Sequence, residues 1–427
     1  AIGKEDGIIK EISESISAKS PDVQIFDAEG THLLPGIIDD QVHFREPGLT
    51  HKEDIEMGSR AAVAGGITSF IEMPNTLPQT TTIEELEKKF QLAAEKSYAN
   101  YSFMFGGTND NLEEILKVDP TKTAALKLFL GSSTGNMLVD DQKVLEEIFS
   151  KSPLLIAVHC EDETTIQNNL KECVERYGDD IPIELHPKIR SEEACYKSSS
   201  NAVKLAKKTG ARLHVFHVST AKELELFSNK KLLKDKKITA EVCIHHLWFN
   251  DHDYKQKGTF IKWNPAVKSE KDQEALMKAL NDDILDVVAT DHAPHTKQEK
   301  QNPYTKAPSG GPLVQHALPA MLQFYHKEKI SLEKIVEKMC HNPAILFDIK
   351  DRGYIRVGYK ADLVLVDLNA PWQVKSDNIL YKCGWSPFEG VTFKSRITHT
   401  FVNGRLVYKN FKHQPFAKVA QQLEFDR

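Results

Sequence analysis

The chain has 427 residues, 55 Lys and Arg against 61 Asp and Glu, and a net charge of −6. That length accommodates two or three domains or one large barrel with an appendage. With 40% hydrophobic and 27% charged residues the chain can build a core, which excludes disorder, and the mildly acidic balance without a basic block argues against nucleic-acid and membrane-surface partners. No apolar run approaches the roughly 18 residues of a membrane-spanning helix. Six cysteines (Cys160, Cys173, Cys195, Cys243, Cys340 and Cys383) are scattered without a C-x-x-C pair, which suits a reducing compartment and predicts a cytoplasmic protein. No signal peptide is evident, and because the chain opens at Ala1 rather than Met, its natural start is expected upstream.

In chain order, Gly7–Ile12 and Val23–Asp27 read as short strands. Eight β-branched runs follow: Gly36–His43, Ile67–Met73, Tyr101–Phe105, Ala124–Leu130, Leu154–His159, Arg212–Val218, Ile238–Ile244 and Asp286–Asp291. Helical patterns alternate with them, which predicts βα units and a parallel sheet. Thr50-His-Lys-Glu53 and Thr82-Ile-Glu-Glu85 read as capping boxes, and Ser191 opens a helix that Gly210 should end. Two more helical patterns lie around Leu313–Lys327 and Ser331–Phe347. Beyond Phe347 the chain reads as strands and turns, with Asn403-Gly404 a two-residue hairpin signal. The tail from Phe416 is expected to be a short helix or arm.

Eight βα units predict a (β/α)8 TIM-type barrel over residues 36–347. Residues 1–35 and 348–427 would form a small β-sandwich domain built from both termini. A doubly wound sheet is the competing fold. It fits less well because ligand-type residues recur at successive strand ends (His43, Asn75, Lys127, His159, His217, Asp291), a pattern that suits the convergent mouth of a barrel.

His43, Lys127, His159, His217 and Asp291 are far apart in the chain, so only a fold can assemble them. Nitrogen and oxygen donors without thiolate suit a catalytic zinc with an open position rather than a closed structural site. Each histidine alone is better read as a hydrogen-bonded strand-end residue; the joint pattern carries the inference. Asp291 stands in Thr290-Asp-His-Ala-Pro-His295, where an apolar strand ends in a titratable cluster.

These residues resemble the amidohydrolase superfamily and, within it, the class I dihydroorotases. The matching stretches are Pro35-Gly-Ile-Ile-Asp39, Val42-His-Phe-Arg-Glu-Pro-Gly48, Ala64-Gly-Gly-Ile-Thr68, Met73-Pro-Asn-Thr76, Asn264-Pro265, Ala289-Thr-Asp-His-Ala-Pro-His295 and Gly358-Tyr-Lys-Ala-Asp-Leu363. The resemblance implies a barrel beside a β-sandwich and one or two zinc ions at the barrel mouth. It also implies reversible cyclisation of N-carbamoyl-L-aspartate to (S)-dihydroorotate, in pyrimidine biosynthesis. A homodimer is a family-level expectation. Carried over by position, His43 would bind the more buried metal, and His159 and His217 the second. Asp291 would coordinate metal and shuttle the proton. Lys127 matches a lysine that many amidohydrolases carboxylate to bridge two metals. Many class I dihydroorotases bridge with aspartate, so Lys127 resembles the hydantoinase and allantoinase branches instead.

Arg45 lies two residues after His43, and strand alternation would aim both into the same interior. A guanidinium there can clamp a carboxylate with parallel hydrogen bonds, and dihydroorotate carries one whereas hydantoins and dihydropyrimidines do not. The alternative for Arg45 is a structural ion pair with Glu46 or another acid. Asn75 and His295 resemble the family's other carboxylate partners, Asn264 its ring contact, and Ser309 and Gly310 its backbone contacts.

One position departs from the pattern. The superfamily motif H-x-H reads Gln41-Val-His43 here. An amide oxygen is a weaker zinc ligand than imidazole, so the inner site is expected to be weak or differently coordinated, with Gln41 coordinating through oxygen or bonding a ligand from behind. Two alternatives follow: a hydantoinase-, dihydropyrimidinase- or allantoinase-like cyclic amidase, and an inactive dihydroorotase-like scaffold. Trp248, Trp263, Trp372 and Trp385 read as core residues. His245-His246 reads equally well as pocket lining or packing, and Lys230–Lys237 as a solvated face.

Overall fold

The computed structural model describes residues 1–3, 5–16, 23–28, 30–131, 137–415 and 418–427. The chain reaches the barrel through β1 (His32–Pro35), and then all eight expected strand runs appear. They are β2 (Ile37–Val42), β3 (Ile67–Glu72), β4 (Asn100–Phe103) continued by β5 (Phe105–Gly106), β6 (Leu126–Phe129), β7 (Ile156–His159), β8 (Leu213–Val215), β9 (Ile238–Cys243) and β10 (Val287–Ala289). Every pairing among them is parallel. β4 pairs with β3 and β5 with β6, so the fourth strand is a single strand interrupted at Met104. A parallel bridge between Val42 and His292 joins the first strand to the eighth. The molecule is therefore a (β/α)8 barrel and not a doubly wound sheet. β2 and β3 are buried along their whole length, which is why they read as near-continuous apolar runs rather than alternating ones.

The helices lie between strands as the periodicity predicts. Thr82 caps Ile83–Lys96 by accepting from the Glu85 N–H at 3.3 Å, and Ser191 caps Glu192–Thr209, which ends at the left-handed Gly210 (φ 78°). The box expected at Thr50 does not form. The helix there begins at Ile55 and is capped by Asp54, whose Oδ1 accepts from the Met57 N–H at 2.8 Å. Glu53 is instead buried and accepts from the Lys382 N–H at 3.2 Å. Local spacing located a first turn but placed it four residues early, because Glu53 is recruited by a distant part of the chain.

Beyond the barrel, β11 (Leu363–Asp367), β12 (Trp372–Gln373), β13 (Thr392–Phe393), β14 (Arg396–Val402), β15 (Arg405–Lys409) and β16 (Lys412–His413) follow. β1 joins β11, β14, β15 and β16 in one five-stranded antiparallel sheet, so segments before and after the barrel share a layer, and β12 pairs with β13 beside it. Asn403 (φ 48°) and Gly404 (φ 73°) make the two-residue turn between β14 and β15, with Val402 opposite Arg405. Gly7–Ile12 contributes only isolated bridges, Ile8 to Lys360 and Ile2 to Ile9, and Val23–Asp27 forms no strand. The tail's first residues, 416–417, lie outside the described residues. From 418 onward it is an extended strap rather than a helix, bridging Gln422 to Tyr101 and Phe425 to Ile349.

Candidate active site

The residues singled out from the sequence converge on one cavity at the C-terminal ends of the barrel strands. His43, Lys127, His159, His217 and Asp291 line it together with Arg45, Asn75, Asn264, His295, Ser309, Gly310 and Gln41. The space between its walls is about 570 Å³, open solvent at its mouth included. Lys127 lies within β6 and His159 closes β7, while His43, His217 and Asp291 follow β2, β8 and β10 by one or two residues.

Three of these residues hold left-handed backbone conformations: Arg45 at φ 64°, His217 at φ 38° and Asp291 at φ 48°. Each costs on the order of 1–3 kcal/mol, and such strain clusters at functional sites. It also corrects how Arg45 reaches the cavity. β2 ends at Val42, so a left-handed turn aims the guanidinium, not strand alternation. Gly310 (φ 126°) is required by close approach, since a Cβ there would meet the Ala293 carbonyl oxygen at 2.4 Å.

The protonation pattern follows from the partners. His43 Nδ1 lies 2.8 Å from the Asn75 amide oxygen, so it carries the proton and donates. Its Nε2 is then a bare lone pair 3.2 Å from Asp291 Oδ1. Two acceptors at that distance need a positive centre between them, a proton or a metal ion. Burial, then the charges of Arg45 and Lys127, hold the His43 imidazole well below its usual range, which keeps it neutral and a competent ligand. Burial pushes Asp291 up to about 7, although Lys127, His159 and Arg45 oppose the rise. Burial lowers Lys127 to about 7, against the pull of Asp291 and Glu241.

On the other side of the cavity, His159 Nε2 lies 3.0 Å from Glu161, leaving Nδ1 aimed at His217 Nε2 at 3.0 Å. Burial would raise Glu161, but Arg190 and His159 outweigh it and hold the carboxyl down to about 2. Glu161 thus keeps its charge beside the His159 ring, close to Nε2 but out of line for a hydrogen bond. Imidazoles, a carboxylate and a lysine without thiolate fit a divalent transition cation.

Arg45 is 5% exposed and, among the described residues, forms no ion pair. Its Nε donates to the Pro294 carbonyl at 3.1 Å and Nη2 lies 3.1 Å from His295 Nε2. Glu46, the expected alternative partner, is engaged by Lys96 at 2.5 Å and the Ile55 N–H at 3.1 Å. Asn264 Oδ1 is buried and unpartnered on the cavity wall. Asn75 holds His43, and His295 Nδ1 accepts from Lys52 Nζ at 3.0 Å, which leaves the Nε2 proton facing the Ser309 carbonyl at 3.0 Å beside the Arg45 guanidinium. Gln41 faces a thiol, with Cys243 Sγ 3.5 Å from its amide oxygen.

Several supporting residues went unread in the sequence. Glu161, two positions after His159, could have been found as an H-x-E spacing. Arg190 and Lys52 carried no local signal. Asp39 ties the strand ends that carry His43 and Asp291 together, accepting from the Thr290 hydroxyl at 2.6 Å. His245 stacks on Trp263 (centroids 4.5 Å) and His246 Nε2 lies 3.1 Å from the Pro265 carbonyl, so both are packing residues.

A parallel barrel whose mouth gathers imidazoles, a carboxylate and a lysine at the strand ends fits a hydrolase of the amidohydrolase class. Residues 32–407 match the amidohydrolase family, and the chain belongs to it. Among its relatives, the dihydroorotase of Methanosarcina mazei is 35% identical over 399 residues, covering 91% of this chain and 86% of the relative. That of Pyrococcus furiosus is 35% identical over 408 residues (95% and 88%), and that of Staphylococcus epidermidis 33% over 417 (95% and 94%). In structure the chain is similar to the L-hydantoinase (dihydropyrimidinase) of Arthrobacter aurescens, with a TM-score of 0.90 and 28% identity over 98% of this chain and 94% of that one. Among the described residues no helix is long and apolar enough to cross a membrane.

Proposed function

We propose that the chain is a dihydroorotase, interconverting (S)-dihydroorotate and N-carbamoyl-L-aspartate in de novo pyrimidine biosynthesis. The observation that carries the proposal is Arg45, a buried guanidinium at the cavity without an ion pair among the described residues. A buried cation without a protein anion is costly, and a substrate carboxylate would complete it. Asn75 and His295 would flank that carboxylate, Asn264 would meet the ring amide, and Ser309 and Gly310 would contribute backbone contacts.

One or two zinc ions held by His43, His159, His217, Asp291 and a carboxylated Lys127 would supply a Lewis acid and activate water near neutral pH. The lysine supports this assignment, because an amine titrating at about 7 is substantially unprotonated near neutrality and so able to add carbon dioxide. Asp291 takes the proton from the attacking water and returns it to the departing ring nitrogen, and a carboxyl titrating near 7 suits both halves of that exchange. In the biosynthetic direction the same groups act in reverse. The proposal also divides the chain at 35 and 347, with the barrel between, and expects a cytoplasmic homodimer with no nucleic-acid or membrane partner.

Lys127 and the hydantoinase-like structure favour a second reading, a cyclic amidase for neutral rings, and Gln41 a third, an inactive scaffold. Ring opening of dihydroorotate by zinc- and bicarbonate-supplied protein, beside dihydrouracil and allantoin, separates them. The expected result is turnover of dihydroorotate alone. Turnover of a neutral ring alone would overturn the role of Arg45, and silence on all three with zinc verified would favour the scaffold.

A further inference from the structure

Beneath the mouth, Asp40 on β2, His214 on β8 and Glu241 on β9 bring three donor atoms together inside the barrel, all within 4.8 Å of one another. All three residues are fully buried. Among the described residues, both Asp40 carboxylate oxygens, His214 Nε2 and Glu241 Oε2 lack a hydrogen-bond partner. Four unpartnered polar atoms in one dry place carry a large desolvation cost unless something binds there.

The imidazole shows what that could be. The Thr239 hydroxyl donates to the Leu213 carbonyl at 3.2 Å, so at its 2.9 Å contact with His214 Nδ1 it is the acceptor and Nδ1 carries the proton. A ring nitrogen so anchored by its N–H leaves the other nitrogen oriented as a ligand. Nε2 lies 3.6 Å from Asp40 Oδ2 and equally 3.6 Å from Glu241 Oε2. A proton on Nε2 would draw one carboxylate to about 2.8 Å. Two separations of 3.6 Å, with the third no more than 4.8 Å, leave room between the three donors for one cation at close to the ~2.1 Å bond length of zinc to nitrogen and oxygen.

A divalent cation would balance the two carboxylates; burial alone would lower the imidazole, but without a cation Asp40 and Glu241 outweigh it and raise His214 to about 9, so a proton is what the cation would displace. The surroundings are apolar, with Phe216 and Phe347 rings 5.2 and 6.0 Å from the His214 ring. Glu241 links this centre to the mouth: Oε2 faces His214, while Oε1 accepts from the His217 N–H at 3.1 Å and lies 3.2 Å from Cys243 Sγ.

We propose that Asp40, His214 and Glu241 form a second, interior site for a divalent transition cation, distinct from the catalytic mouth and independent of the substrate assignment. The site is structural: it pins β2 to β8 and β9 under the strand end that carries His217.

Crystals of the full chain grown with zinc chloride in excess, with anomalous maps on both sides of the zinc edge, test this. The expected result is a zinc peak bonded to His214 Nε2 and to oxygens of Asp40 and Glu241, separate from density at the mouth. Asp40→Asn should lose that peak and about one equivalent of metal per chain by elemental analysis while keeping metal at the mouth. A wild-type map with no peak at the triad overturns the proposal whether or not the mouth is filled. So does an Asp40→Asn protein that retains the wild-type metal content. The wild-type map stands even if the variant fails to fold.

Discussion

Lys89 and Lys127 are each 1% exposed, yet they occupy opposite kinds of environment. Lys89, on the helix over β3, is ion-paired with Glu72 and donates to the Met73 carbonyl at 2.9 Å. Lys127, on β6, forms no ion pair among the described residues and lies 4.0 Å from the Phe216 ring and 4.8 Å from that of Phe129, facing the cavity. Burial lowers both ammonium groups, but at Lys89 the Glu72 carboxylate answers the charge, whereas Lys127 falls to about 7. The wall between β3 and its helix is electrostatically closed, while the mouth is left open at Lys127 and again at Arg45. A buried cation with its own anion holds a fold together; one without is arranged for something that arrives later.

The largest test of that contrast lies at the mouth. Asp291→Asn should lower kcat for dihydroorotate about 10⁴-fold, as loss of a proton-transferring group does, with the unfolding midpoint little changed. Full activity in steady-state assays would show that the mouth is not the chemical centre. In the closed wall, Lys89→Met should leave the Glu72 carboxylate uncompensated and cost about 4 kcal/mol of stability, read by denaturant unfolding. Lys89→Met with Glu72→Leu should recover most of the loss, because the penalty belongs to the orphaned charge.

A smaller effect is expected at Arg45. Arg45→Gln should reduce kcat/KM for dihydroorotate about 100-fold, on the order of 3 kcal/mol for charge-assisted hydrogen bonds, mostly through KM and without the stability cost seen at Lys89. The mildest test is pH. Glu161 is held near 2 against an ordinary 4.5, so its depressed folded value contributes stability above about pH 4.5, lost as pH falls toward 2. Thermal midpoints of wild type and Glu161→Gln should converge across that window and differ above it.

The barrel was legible from sequence because a parallel strand buried on both faces must be a short apolar run, and most runs here end in a polar, ligand-type residue. The cavity-lining set was legible for the same reason: His43, Lys127, His159, His217 and Asp291 interrupt apolar runs where nothing in strand packing requires them. The helix start at Asp54 was not, since Glu53 answers to the Lys382 backbone more than 300 residues away. Neither were Arg190 behind Glu161 nor Lys52 beside His295, which bond through space from segments that carry no local pattern.

Sequence by itself determined the kind of elements, their order and which side chains are chemically out of place. Only the tertiary structure decided charge states and partners. Whether Arg45 pairs with Glu46 or waits for a ligand depends on Lys96 having taken Glu46. Whether His43 presents a proton or a lone pair depends on the Asn75 amide 2.8 Å away. Whether Asp40 is an ordinary strand residue or part of a buried triad depends on His214 and Glu241 arriving from distant strands. Desolvation and hydrogen bonding act over a few ångströms of space, and the chain order does not contain those distances.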